Sequence, residues 1–170
     1  MKTRTGFVSN SSSSSFIIGA GLVTDKFAFE VTYPQWYNDR NNGLPDDMEA
    51  YSIKQLKEYT RPNSGQVRYE TNEDGTVKHI KRVTVESFMY NEVDTPDLSE
   101  CADDDIVVIY YGGSSLDESD LADYDDDGDF IDYNYDVDYD MFSDDEKEAM
   151  DLLSGPLVDG TYEYGAGRNG

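Results

Sequence analysis

Between Asp117 and Glu146 the chain carries 15 acidic residues in 30 positions and not one Lys or Arg. Like charges at that density repel whenever they are brought together, and holding them in one fold costs stability. Residues 1–90 hold 11 basic and 11 acidic side chains, whereas residues 91–170 hold only Lys147 and Arg168 against 26 acids. The whole net charge of −24 therefore lies in the second half. Staying dispersed in water needs far less charge than this, and the excess points to an electrostatic surface that meets a basic partner.

The means to hold such a surface are present. Hydrophobic residues make up 37% of the 170 and aromatic residues 13%, with 14 tyrosines, a composition that argues against wholesale disorder. A chain of this length buries about 68–70% of its unfolded surface. One domain is expected over 16–170, with its acidic half at 91–170, preceded by a Ser-rich leader over 1–15. Cys101 is the one cysteine, which leaves no intramolecular disulfide and no Cys-based zinc site. The apolar run FIIGAGLV is too short to span a bilayer and lies too far from a signal-peptide pattern to be one. A cytoplasmic protein without a membrane partner is the expectation.

Along the chain, Phe16 to Val23 reads as a strand, and KFAFEVTY, with Phe27, Phe29, Val31 and Tyr33 alternating, reads as a second. Asp46 or Asp47 would cap a helix with Met48, Tyr51, Leu56 and Tyr59 along one face, ended by Pro62. The β-branched segments around Asp74-Gly75 predict a hairpin. IVVIYYGG reads as a buried strand. Ser115-x-x-Glu118 and Ser143-x-x-Glu146 match capping boxes, the second helix ending at Gly155-Pro156. The segment from Gly160 adds an edge strand. The fold class expected is α+β, a mostly antiparallel sheet with two or three short helices on one side.

The stretch IDYNYDVDYDM, residues 131–141, alternates at period two. Asp132, Asn134, Asp136, Asp138 and Asp140 form one set; Ile131, Tyr133, Tyr135, Val137, Tyr139 and Met141 form the other. As a strand it would set carboxylates about 6.6–6.8 Å apart along one face. That is close to the separation of successive phosphates on a nucleic-acid backbone, so a groove that neutralises phosphates could accept it. The bland alternative is an edge strand protected from aggregation by charge. The residues assigned to partner binding are Asp123, Asp125, Asp126, Asp127, Asp129, Asp132, Asp136, Asp138 and Asp140, with Tyr133, Tyr135 and Tyr139 packing the core or anchoring the rim.

Asp123, Asp125 and Asp127 before Gly128 also fit the start of a calcium loop, but its twelfth position is Asn134, where a carboxylate is needed. The metal reading is kept only as an alternative, and no cofactor is expected. Nothing forms a catalytic constellation. His79 sits on the hairpin among Lys78, Lys81 and Arg82. The acidic neighbours of Cys101 disfavour a thiolate. Gly19-Ala-Gly21 is too short for a phosphate loop.

The opening RTGFVSNSSSSSFII resembles the Gly-Phe-Val-Ser-Asn-Ser-run-Phe start of small proteins of tailed bacteriophages and some bacteria. The resemblance covers about 15 residues and implies a phage or mobile-element origin; it brings no residue roles. The acidic half is similar in character to phage DNA-mimic inhibitors, among them anti-restriction and anti-CRISPR proteins. Together these imply a non-enzymatic inhibitor that occludes the groove of a host nucleic-acid-binding protein without touching nucleic acid itself. The alternative is a virion or assembly protein that binds a basic partner.

Overall fold

The computed structural model describes residues 2–8, 13–34, 36, 43–59, 67–86, 89–93, 95–113, 116, 118–134 and 136–168. The fold is α+β. Its main sheet has five strands: β1 (Lys2–Val8), β2 (Ser13–Val23), β3 (Met48–Ser52), β7 (Ile106–Gly113) and β10 (Val158–Arg168), in the order β1-β10-β2-β7-β3. All neighbours pair antiparallel except β1 and β10, which run parallel. A second sheet orders β4 (Val67–Thr71), β5 (Val77–Glu86) and β6 (Met89–Glu92).

Continuous apolar runs are needed where both faces of a sheet are covered, and FII and IVVIY supply them. On one face Ile17, Ile106, Val108 and Tyr110 join the core beneath α1 (Lys26–Thr32) and α4 (Asp144–Ser154). On the other, Phe16, Ile18, Val107 and Ile109 pack with Tyr69, Val77 and Ile80 of the second sheet and with Ile53 and Leu56 of α2 (Ile53–Tyr59). The predicted buried strand is β7, whose residues Ile106 to Tyr110 are all at most 4% exposed. Gly19 has a packing role: a Cβ there would lie 2.6 Å from Leu153 Cδ1 and 2.7 Å from the Thr161 carbonyl.

Four local expectations are corrected. KFAFEVTY is a helix, α1, because Asp25 Oδ1 accepts the Ala28 N–H at 3.0 Å and caps it. Phe29 and Tyr33 meet one turn apart, their tilted rings 5.3 Å between centres, while Phe27 and Val31 face out, 80% and 66% exposed. A period of two also contains the helical spacing of four, which is why the pattern misleads. The helix expected from Asp46 or Asp47 begins only at Ile53. Asp47 takes a left-handed φ of 66°, and Met48–Ser52 then pairs with β7. Ser52 and Gln55 form the cap, with Gln55 N–H donating to Ser52 Oγ at 3.1 Å and Ser52 N–H to Gln55 Oε1 at 2.9 Å.

The segment from Gly160 lies inside the sheet and not at its edge, between β1 and β2. The acidic stretch also departs from the single strand expected of it. The first fifteen residues, read as a leader, contribute β1 and the start of β2, where Ser15 is buried and donates to the Leu116 carbonyl at 3.2 Å. Ser115 lies outside the described residues, and the helix expected near it is the single turn α3 (Glu118–Leu121). The hairpin at Asp74-Gly75 joins β4 to β5, and the Ser143 cap opens α4 as expected.

Candidate functional site

The acidic stretch leaves the sheet through α3 and forms a separate two-stranded ribbon, β8 (Ala122–Tyr124) and β9 (Phe130–Tyr133). Its turn is set by one side chain. Asp125 Oδ1 accepts the N–H groups of Asp127 at 3.0 Å and Asp129 at 2.9 Å, Gly128 N–H donates to the Asp125 carbonyl at 3.0 Å, and Gly128 adopts φ 83°. The β4–β5 turn has the same form, with Gly75 N–H donating to the Asn72 carbonyl at 3.0 Å and Gly75 at φ 87°. The Asp-x-Asp-x-Asp-Gly string is therefore the sequence of a hairpin turn whose glycine takes the left-handed position. Among the described residues no group of three or more His, Cys, Asp or Glu side chains converges to hold a metal ion. Asp123, Asp125 and Asp127 are not such a group.

The single strand expected over 131–141 is broken. β9 ends at Tyr133, where Asn134 Oδ1 accepts the Asp136 N–H at 3.0 Å and turns the chain. Val137 then drops into the core, 3% exposed, and Tyr139–Met141 form a 3₁₀ turn leading to buried Phe142. The cause is the core beneath: Val137 and Phe142 pack with α4, and Ile131 and Met141 at the two ends stay 58% and 38% exposed. No straight ladder of carboxylates at phosphate spacing results.

Asp123, Asp125, Asp126, Asp127, Asp129, Asp132, Asp136, Asp138 and Asp140 all face solvent. Among the described residues no Lys or Arg nitrogen lies within ion-pair distance of any of them. Among the described residues, ion pairs hold Lys26 to Asp104 and Asp105 at 3.2 Å each, Lys57 to Asp103 at 3.6 Å, and Lys78 to Glu70 at 4.0 Å. These three lysines thus meet acids outside the dense stretch. The side chains of Lys81 and Arg82 lie outside the described residues. Asp123 and Asp132 are direct cross-strand partners, a like-charge pairing that disfavours the ribbon.

The tyrosines divide. Tyr133 and Tyr139 pack half-buried at the margin of the core. The Tyr139 hydroxyl donates to Asp151 Oδ1 at 2.7 Å, and that bond, more than burial, pushes its pKa up to about 12. The Lys147 ammonium stands 5.6 Å from the Tyr139 ring centre. Tyr135 lies outside the described residues. Within the acidic stretch, the exposed aromatic groups among the described residues are ones not assigned to the site from sequence: Tyr124 and Phe130, each 53% exposed, edge-on to each other at 6.1 Å. Phe130 also meets Tyr133 edge-on at 5.2 Å. The Asp127-Gly128 dipeptide between Tyr124 and Phe130 is the signal that could have found them, since it marks a hairpin as Asp74-Gly75 does.

Other ionisable groups are engaged or subdued. His79 Nε2 lies 2.8 Å from Glu70 Oε2. Burial, helped by Asp105 and Asp97, raises the pKa of the Cys101 thiol. An open cleft of about 460 Å³ beside Lys26, Glu30, Trp36, Lys54, Asp103 and Asp104 takes no lining from the acidic stretch. Among the described residues no helix is long and apolar enough to cross a membrane. No family model, no curated protein and no solved structure matches the chain.

Proposed function

We propose that this protein is a non-enzymatic binding protein whose acidic surface occupies the Lys/Arg-lined, nucleic-acid-binding groove of a partner, in the manner of a DNA mimic. The observation that carries the reading is the row of solvent-facing, uncompensated carboxylates from Asp123 to Asp140. Mimicry here rests on charge density and not on phosphate register, because the strand that would have set the register ends at Tyr133. Counterion release from the basic groove would supply affinity, as it does for DNA itself. The resemblance of the opening residues to small proteins of tailed phages favours a bacterial host protein as target, hence an inhibitor of defence or of nucleic-acid processing.

The test is retention of a partner from bacterial lysate by the purified protein and by an Asp132/Asp136/Asp138/Asp140→Asn variant, each challenged with duplex DNA. The expected result is one nucleic-acid-binding protein held by the wild type, released by DNA, lost by the variant, and falling steeply in yield between about 50 and 200 mM salt. A partner held equally by both forms, or indifferent to salt, would overturn the reading.

A further inference from the structure

The ribbon joins two features that seldom coincide on a surface: exposed rings and uncompensated carboxylates. Tyr124, Phe130 and Ile131 are each more than half exposed. Asp123, Asp126, Asp127, Asp129 and Asp132 surround them in sequence and all face solvent. Apolar groups this large are ordinarily buried, and where they cluster at a surface within a charged rim they mark a contact. The occupant follows from charge. A second copy, a nucleic acid or an anionic lipid surface would each be repelled by a chain of net charge −24, which leaves a cationic protein surface.

The rings narrow this further. A guanidinium is flat, weakly hydrated and forked, so it can stack on an aromatic face while both its edges meet carboxylates; an ammonium is a compact, strongly hydrated point that gains less from either. We propose that the β8–β9 ribbon is the anchor of the partner contact and that it selects arginine over lysine. This rests on the acidic-surface reading above and names the chemistry of its partner.

One further observation fits. The ribbon is set before binding: Asp125 Oδ1 fixes the turn, Asn134 N–H donates to the Leu121 carbonyl at 2.7 Å at the base, and Tyr133 ties β9 to the core. Less ordering is then left for the moment of association.

The experiment is fluorescence anisotropy with labelled octa-arginine and octa-lysine peptides on the full chain. A Tyr124→Leu/Phe130→Leu variant keeps apolar area but removes the rings, and its thermal melt confirms the fold; Phe130→Leu alone serves if the double variant melts early. The wild type is expected to bind octa-arginine about tenfold more tightly than octa-lysine, and the leucine variant to bring that ratio to about one. Equal binding of the two peptides by the wild type, or an unchanged ratio in the variant, overturns the inference. Those outcomes leave the lysate test of the acidic surface untouched. Conversely, a lysate partner held equally by the wild type and the asparagine variant, with the arginine preference intact, would overturn only the proposed function.

Discussion

Phe27 and Phe29 are two residues apart in a pattern that reads as one strand face, and their truncation separates the helix from that strand. Phe29 is 0% exposed, with ring contacts to Tyr33 at 5.3 Å and Trp36 at 6.5 Å. Replacing it with Ala removes a buried ring from a packed core, at a cost of about 3–5 kcal/mol. Phe27 is 80% exposed. Full burial of such a side chain contributes about 1.5–3 kcal/mol, so the covered fifth contributes only about 0.5. Alanine is also the better helix former by a similar amount, and the two terms cancel. Phe27→Ala is therefore expected to leave stability unchanged while Phe29→Ala lowers it by about 4 kcal/mol. With a urea dependence of about 2 kcal/mol per molar, the midpoints followed by far-UV circular dichroism separate by about 2 M. If Phe29→Ala leaves no folded baseline, Phe29→Leu reports the same asymmetry on a smaller scale. Similar losses at both positions would mean that the two rings share a face, and would refute the helix together with its Asp25 cap.

Gly19→Ala forces a methyl against Leu153 and the Thr161 carbonyl, costing about 1–3 kcal/mol and lowering the melting temperature by about 3–10 °C; no change would show that α4 does not pack that closely on β2. Ser143→Ala removes the acceptor for the Glu146 N–H and the reciprocal bond at the start of α4, and is expected to cost about 1 kcal/mol in urea unfolding. Asp47 has its pKa raised first by burial and then by Asp46, Asp145 and Glu146, so its charged form opposes folding. Its favourable contribution is present in acid and is lost as pH rises through the raised value. Asp47→Asn keeps a residue that tolerates the left-handed backbone and removes the charge; it is expected to melt higher than the wild type at pH 7 and equally in acid. An advantage that persists undiminished below the carboxylate range would point to backbone strain and not to charge.

Much of the fold was legible in the sequence wherever a residue type has one physical use. IVVIY can only be buried on both faces, Asp74-Gly75 can only turn, and Ser143 with Glu146 can only cap. The failures came where a pattern has two uses. Period two includes the helical spacing of four, so Phe29 and Tyr33 satisfied a strand and formed a helix. The Met48–Tyr59 span held a reciprocal Ser52–Gln55 cap in its middle, which divides it into strand and helix more sharply than any periodicity. In the acidic stretch the alternation correctly separated inward Val137 from outward aspartates, yet it could not show that Asn134 would spend its side chain on a turn. The density of carboxylates and their separation from the apolar set were the readable part of the site; their exposure was not, because it depends on what the rest of the chain covers. That Tyr124 and Phe130 stand among them depended on seeing a hairpin inside what looked like a metal loop.

The place of β10 bears on how the chain reaches this structure at all. Ser13 pairs with Arg168 and Lys2 with Glu163, so the middle of the main sheet joins segments separated by nearly the whole sequence. Such closure is slow, and until β10 docks, β2 offers an open edge whose FIIGAGLV run has no charge to discourage pairing with another chain. Residues 117–146 precede β10 in synthesis, so their negative charge is already in place to keep nascent chains apart during that interval. A chain cut before Val158 is expected to aggregate, and faster still when its aspartates are changed to asparagine, as light scattering would show. The carboxylates would then serve the protein as its own chaperone before they serve it as a binding surface.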